Sequence, residues 1–327
     1  MAYWMREAES RGYEIGFFSE TIELMRDSAS ALATFALATE RMTLGCTQIV
    51  RLRSPLVMAQ TLASLDELAQ GRIMLAPGAC TKTHSLRHGL EHINASVALR
   101  EYVEAIRLIL SGENVSYHGQ AVNFDDVHLG WEPVRKHIPM YLPATSVAGL
   151  KLAGRIADGV LLNAICSPEY DVNALKIVRE SVEESGRDWS EFKVAQLINC
   201  SVEDDHDAAV QAIKWEVASK LDPIQLPFIA EPKMKVGEPY IRREDVPAFE
   251  EAWNRGGKDA LIEAVPDSYV EGMTASGTPD EVKARIQAYR DAGVHLPILR
   301  PAAAHQTERL LDLFAPSQAG APAETPA

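Results

Sequence analysis

Three strand ends in this chain carry groups that could do chemistry. In Pro143-Ala144-Thr145-Ser146-Val147-Ala148-Gly149 an apolar run passes into a helix start. Small residues let the backbone approach a ligand closely, and the first turn of a helix offers unpaired N–H groups with partial positive charge. That is phosphate-binding chemistry, with Ala144, Thr145, Ser146 and Val147 as the contacts; Thr145 and Ser146 also suit a plain capping role, and the two are compatible. Ser19-Glu20-Thr21 follows the run Gly16-Phe17-Phe18, which puts the Glu20 carboxylate at a strand end. Arg300 closes the last apolar run and could reach an anionic tail, although Arg-Pro can also simply end a strand. His84 and His88 lie in a loop and titrate near neutral pH, as a proton donor should; surface histidines without a role are the competing reading.

These groups need elements to position them, and strand and helix patterns alternate along nearly the whole chain. Helical stretches are expected at 2–12, 27–39, 55–71, 97–110, 146–157, 170–185, from 205 onward and at 278–292. Strands are expected from Glu14, Met42, Ile73, Pro139, Gly159, Phe192 and His295, with a hairpin excursion at 115–129 turning around His118-Gly119. Strands joined by helices of this length lie parallel with right-handed crossovers, which argues for an α/β barrel closed by helices. Residues 223–265 break the rhythm with prolines and charges and read as an insertion before the last unit. Seven strands leave a TIM barrel one short.

Bulk properties narrow the field. A chain of 327 residues can bury one large core, so 1–314 is expected to form a single domain, and the small-residue and proline-rich stretch 315–327 an unstructured tail. A formal net charge of -14 argues against nucleic acid as a partner. The four cysteines, Cys46, Cys80, Cys166 and Cys200, lack CxxC spacing and read as reduced core residues, so no metal site is expected. No apolar run approaches the ~20 residues that cross a bilayer, and the expectation is a cytoplasmic protein off the membrane.

The stretch 40–83, ERMTLGCTQIVRLRSPLVMAQTLASLDELAQGRIMLAPGACTKT, is the most specific. Its Thr39-Glu40-Arg41-Met42-Thr43-Leu44-Gly45, Arg53-Ser54-Pro55 and Thr61 through Arg72 resemble, in order and spacing, the luciferase-like superfamily of flavin and deazaflavin enzymes. Ala153-Gly154-Arg155-Ile156-Ala157-Asp158-Gly159 and Gly277-Thr278-Pro279-Asp280-Glu281 are further landmarks. Met25-Arg26-Asp27 resembles the methylenetetrahydromethanopterin reductase branch. Many of these residues also serve as helix ends, turns and strand starts, whatever the function.

The resemblance implies a TIM barrel whose family normally opens with a strand ahead of the first helix. It implies coenzyme F420 as cofactor, with FMN as the alternative, and hydride transfer between the reduced deazaflavin and a C=N or C=C bond. Rival readings are an FMN-dependent monooxygenase and a barrel that has lost cofactor binding. By position, Glu20 is a site acid, and Thr21 stands where relatives often have His. Cys46, Thr47 and Gln48 prop the ring, through a non-prolyl cis peptide at Thr47-Gln48. Gly78, Ala79, Cys80 and Thr81 occupy a ring-contacting loop in which Cys80 replaces a glycine and Thr81 an acid, so His84 becomes the substitute proton donor. Ala144 to Val147 hold the cofactor phosphate. A homodimer is expected, acting on a small-molecule or peptide-like substrate, with Lys233, Lys235, Arg242 and Arg243 as candidate contacts for an acidic one.

Overall fold

The structure, a computed structural model, describes residues 1–22, 25–79, 82–90 and 93–315, without the side chains of 49 and 82–84. Cys80, Thr81 and the expected tail from 316 onward lie outside the described residues, as does the side chain of His84.

The chain opens with α1 (Ala2–Ser10), β1 (Ile15–Phe18), α2 (Ser28–Ala38), β2 (Thr43–Ile49), α3 (Pro55–Leu68) and β3 (Ile73–Gly78). Then come α4 (Lys82–Arg87), α5 (Ala95–Leu110), the hairpin β4 (Val115–His118) and β5 (Asn123–Val127), β6 (Tyr141–Ala144) and α6 (Val147–Ile156). They are followed by β7 (Gly159–Leu162), α7 (Pro168–Glu184), β8 (Lys193–Val202) and the helices α8 (His206–Ala218), α9 (Leu226–Val236), α10 (Val246–Ala264) and α11 (Asp267–Met273). The chain ends with β9 (Ala275–Gly277), α12 (Pro279–Asp291), β10 (Leu296–Pro301) and α13 (Thr307–Leu313).

Many helix starts follow from their sequences. Asp27 caps α2 through Ser30 N, Ser54 caps α3 through Val57 N, and Glu281 of α12 reaches back to Thr278 N at 2.7 Å, with Pro279 at the first helical position. Parallel pairing runs β1-β2-β3; a single bridge from Leu75 to Met140 links β3 to β6, and β6-β7-β8-β10 continue the order. Each of these seven strands starts within two residues of its expected position. The short β9 was not expected; it pairs with the far end of β8, Ala275 beside Cys200.

Alternation along the strands sorts side chains into two layers. Met74, Ala76, Tyr141, Leu161 and Ala195 pack inside the barrel with Phe17, Leu296 and Ile298, while Leu44, Cys46, Leu75, Leu142, Ala144 and Val160 face the helices. Gly45 has to be glycine, since a Cβ there would sit 2.6 Å from the Phe17 ring and 2.9 Å from Met74. A third cluster, separate from the barrel core, is made by α8–α11 and packs on Ile165, Ala164 and Ala302, in the loops after β7 and β10. This helical layer covers part of the strand-end face.

The opposite face is held by buried polar clamps. Asp66, 1% exposed, takes Arg135 through both oxygens, at 2.9 and 2.5 Å, and also Ile73 N. Arg72 ties the carbonyls of Ala69, Thr39 and Met42 together, and Asp158 collects Arg107, His137 and Met140 N. The conspicuous acids and arginines of the Leu-Asp-Glu-Leu and Ala-Asp-Gly segments are thus structural.

Among the described residues the strands do not close into a full ring. β1 pairs with β2 and β10 with β8, and a cavity of about 680 Å3 runs between their free edges. Its lining goes from Tyr13, Glu14 and His295 at one end to Ser19, Arg300 and Pro301 at the other.

Candidate active site at the strand ends

Glu20, Thr47 and Gln48 come together where β1 and β2 end. Thr47 Oγ1 accepts from Glu20 N at 2.7 Å and fixes the backbone. The Glu20 carboxylate is 7% exposed, and its Oε2 accepts from Ser28 N at 2.6 Å and from Gln48 Nε2 at 2.9 Å. It therefore caps α2, and Gln48 also donates to Ser28 Oγ. Among the described residues the other oxygen, Oε1, is buried without a partner. A buried acceptor left open costs about 1–3 kcal/mol, which singles this oxygen out for an account.

The expected cis peptide at Thr47-Gln48 is not there: no cis bond occurs among the described residues. Both residues continue the regular ladder of β2, Thr47 beside Ala76 and Gln48 beside Pro77, and the extended trans backbone is what that pairing requires. Cys46 points into the helix layer, fully buried, where loss of solvation pushes its thiol up to about 12. What Cys46 and Ala144 can offer the barrel interior is backbone.

Alternation turns Thr47 and Gly78 inward. Among the described residues, and leaving aside its chain neighbours, a Cβ on Gly78 would have Gln48 O, at 3.7 Å, as its only neighbour within 4 Å; Ala79 follows it. Across the barrel, β6 delivers Thr145 and Ser146 to the start of α6. Ser146 Oγ accepts from Gly149 N at 3.2 Å and its carbonyl from Leu150 N at 2.8 Å. The N–H groups of Val147 and Ala148, which precede these, have no carbonyl to bond within the helix. Thr145 O is held by Tyr170 OH at 3.0 Å.

Arg300 faces inward with Leu296 and Ile298, but its guanidinium is already engaged, 2.7 Å from the buried Glu216 of α8. Lys233, expected to meet substrate, is 1% exposed and donates to Ala164 O and Ile165 O at 2.8 and 2.6 Å. It tethers α9 to the loop after β7, where Ile165 holds a positive φ of 60°. Arg242 is paired with Asp245. Burying an ammonium demands fixed acceptors, and the loop carbonyls supply them.

Asn199 was not anticipated. It faces the barrel interior from β8, 2% exposed, with both amide atoms lacking partners among the described residues. The signal was present, since Gln196 and Asn199 are the only polar residues in the otherwise apolar run 194–200. A polar side chain in a buried strand has to be accounted for.

The family model for luciferase-like monooxygenases matches residues 1–296. The chain belongs to that family. Among curated luciferase-like relatives, 5,10-methylenetetrahydromethanopterin reductase of Archaeoglobus fulgidus is 28% identical, over 90% of this chain and 87% of that protein. F420-dependent glucose-6-phosphate dehydrogenase of Kineococcus radiotolerans is 30% identical, over 90% of this chain and 85% of that protein. Among solved structures, the coenzyme F420 dependent tetrahydromethanopterin reductase from Methanopyrus kandleri superposes with a TM-score of 0.82 at 25% identity, covering 96% of this chain and 92% of that one. The luciferase-like α/β barrel expected from the motifs is the fold observed. No described helix is long and apolar enough to cross a membrane, and no cluster of metal-ligating side chains occurs among the described residues.

Proposed function

We propose that this luciferase-like protein is an oxidoreductase that uses coenzyme F420 and acts on a C=N or C=C bond of a small molecule. The observation that carries the reading is the mouth of α6. There the free N–H groups of Val147 and Ala148, beside the Ser146 cap, form a seat for a phosphate at the same barrel face as the buried, half-committed Glu20. Relatives named for F420 that match nine-tenths or more of the chain favour the deazaflavin over FMN.

When bound, F420 supplies a two-electron donor or acceptor. The chain's own residues bind and orient. Val147 and Ala148 would take the phosphate, and Gly78 leaves space for a flat ring against the end of β3. Ser28 N and Gln48 hold one oxygen of Glu20, so the orientation of the other is fixed, and Oε1 is the atom placed to hold or release a proton. The α8–α11 layer, pinned through Lys233, excludes water from one side of the site and selects the substrate. A homodimer is part of the proposal, and sedimentation measures it directly.

The test is anaerobic. Protein and reduced F420 are mixed with a panel of imines, activated alkenes and secondary alcohols, and deazaflavin absorbance is followed. Enzyme-dependent oxidation of the cofactor by an imine or alkene is expected. Turnover that requires reduced FMN and oxygen, with F420 inert, would overturn the reading.

A further inference from the structure

The loop after β7 lies between the α8–α11 layer and the phosphate seat at α6, and it is bonded to both. We propose that Lys233 and Glu238 are positioning residues for the cofactor phosphate. They act through residues 164–167 and Tyr170 on the backbone at the mouth of α6, so that docking of the α8–α11 layer and binding of the cofactor favour each other. The inference rests on the F420 reading for its ligand and on the fold alone for the linkage.

The backbone of the loop is gripped residue by residue from elements outside it. Lys233 Nζ of α9 donates to Ala164 O and Ile165 O at 2.8 and 2.6 Å, and Tyr289 OH of α12 donates to Cys166 O at 2.7 Å. Ser167 N donates to Glu238 Oε2 at 2.8 Å. Glu238 follows α9 by two residues, and its other oxygen accepts from Tyr240 N at 3.2 Å, so this carboxylate joins the layer to the loop. Lys233, Glu238 and Tyr289 are all buried. Hydrogen bonds to charged groups are the strong ones, and more so away from water.

Ile165 shows what the grip holds in place. Its φ of 60° is a left-handed conformation that a β-branched residue adopts when its surroundings enforce it. With the chain turned in this way the Ile165 side chain is buried in the apolar cluster of α8–α11 and not in the core of the barrel. The layer therefore supplies both the cation on the Ile165 carbonyl and the apolar surroundings of its side chain. When the layer lifts, nothing in it holds the turn, and the strain favours relaxation of the loop.

From the loop the linkage runs to the phosphate seat in two steps. Ser167 is the N-cap of α7, its Oγ accepting from Tyr170 N at 3.0 Å. Tyr170 is fully buried, and its hydroxyl donates to Thr145 O at 3.0 Å. Thr145 immediately precedes Ser146, the cap beside which the N–H groups of Val147 and Ala148 stay open. A shift of Ser167 carries Tyr170 with it, and Tyr170 carries the carbonyl of Thr145. Coupling of this kind is reciprocal. A substrate that seats the layer more firmly strengthens cofactor binding by the factor through which the cofactor strengthens binding of that substrate.

The experiment is a double-mutant cycle. Lys233→Met keeps an unbranched side chain but removes the ammonium, Tyr170→Phe removes a single hydroxyl, and the third protein carries both changes. Hydrogen exchange of residues 144–150, 164–170 and 43–49 is read by mass spectrometry without cofactor, and F420 affinity by fluorescence titration. Lys233→Met should speed exchange of 164–170 and of 144–150 at least fivefold, leave 43–49 unchanged, and weaken F420 binding at least fivefold. Tyr170→Phe should loosen 144–150 and weaken F420 to a similar extent. The double variant should match Tyr170→Phe at 144–150 and in affinity, because the link is already cut. If Lys233→Met does not fold, Glu238→Ala, which releases Ser167 N, takes its place with the same expected outcomes. Unchanged exchange of 144–150 in either single variant, or effects that simply multiply in the double variant, would overturn the proposal. A parent protein that ignores F420 would sink the cofactor reading, and the exchange data would still decide the linkage.

Discussion

Gln48 Nε2 donates to Glu20 Oε2 at 2.9 Å, across 28 residues of sequence. The amide on the outer face of β2 thereby fixes the carboxylate at the end of β1, dividing it into one oxygen bound to structure and one without a partner among the described residues.

Removing this carboxylate should cost folding and function separately. In Glu20→Ala, Gln48 and Ser28 N lose a buried acceptor, and urea unfolding should register a loss of about 2–3 kcal/mol. Glu20→Gln keeps an acceptor oxygen but no longer offers an ionisable Oε1. It should fold within about 1 kcal/mol of the parent while turnover falls at least tenfold. Full activity in Glu20→Gln would remove the acid from the mechanism.

Gly78→Val tests the space above β3. Among the described residues the nearest atom to a new Cβ, its chain neighbours aside, is Gln48 O at 3.7 Å, so the variant should fold with little change in Tm. If the flat ring of a cofactor lies there, F420 affinity falls at least tenfold by titration. Unchanged affinity would place the ring elsewhere.

Strand positions were legible because alternation of apolar runs with helix signals is a local property, and so were the helix starts at Asp27, Pro55 and Thr278. The site was legible only in part. Glu20, Thr47 and Gln48 do meet, yet which way each side chain turns depends on the two-residue period of β2, and a one-residue difference in phase decides between interior and helix layer. The commitments of Arg300 to Glu216 and of Lys233 to the loop carbonyls join residues far apart in sequence, and no spacing rule reports them.

The polar clamp on the far face should matter for stability alone. Asp66→Ala leaves Arg135 without its paired carboxylate and Ile73 N without an acceptor, a loss on the order of 3 kcal/mol by denaturant unfolding. The F420 affinity of the folded fraction should stay the same. A selective loss of affinity would show that Asp66 acts on the site.

A buried acid sets a pH dependence. Asp171, at the head of α7, is fully buried, and burial first, then the nearby Glu238, hold its carboxyl well above the usual range. Gln196, Arg285 and Lys233 pull the other way. The native chain thus keeps a proton that the unfolded chain loses from about pH 4 upward. Unfolding in that window releases a proton, so stability falls as pH rises toward the elevated native value. Asp171→Asn removes this titration at nearly constant shape. Its Tm should decline less steeply than the parent's between about pH 5 and pH 8, with Glu238, also raised, responsible for part of the remaining slope. Parallel Tm curves would contradict the assignment.

The most direct test of the central claim is a fluorescence titration of the purified protein with F420 and, separately, with FMN, repeated on Ser146→Ala. The account requires saturable F420 binding much tighter than that of FMN, weakened when the cap beside Val147 and Ala148 is removed. Tight FMN binding with no response to F420, or F420 binding indifferent to Ser146, would contradict it.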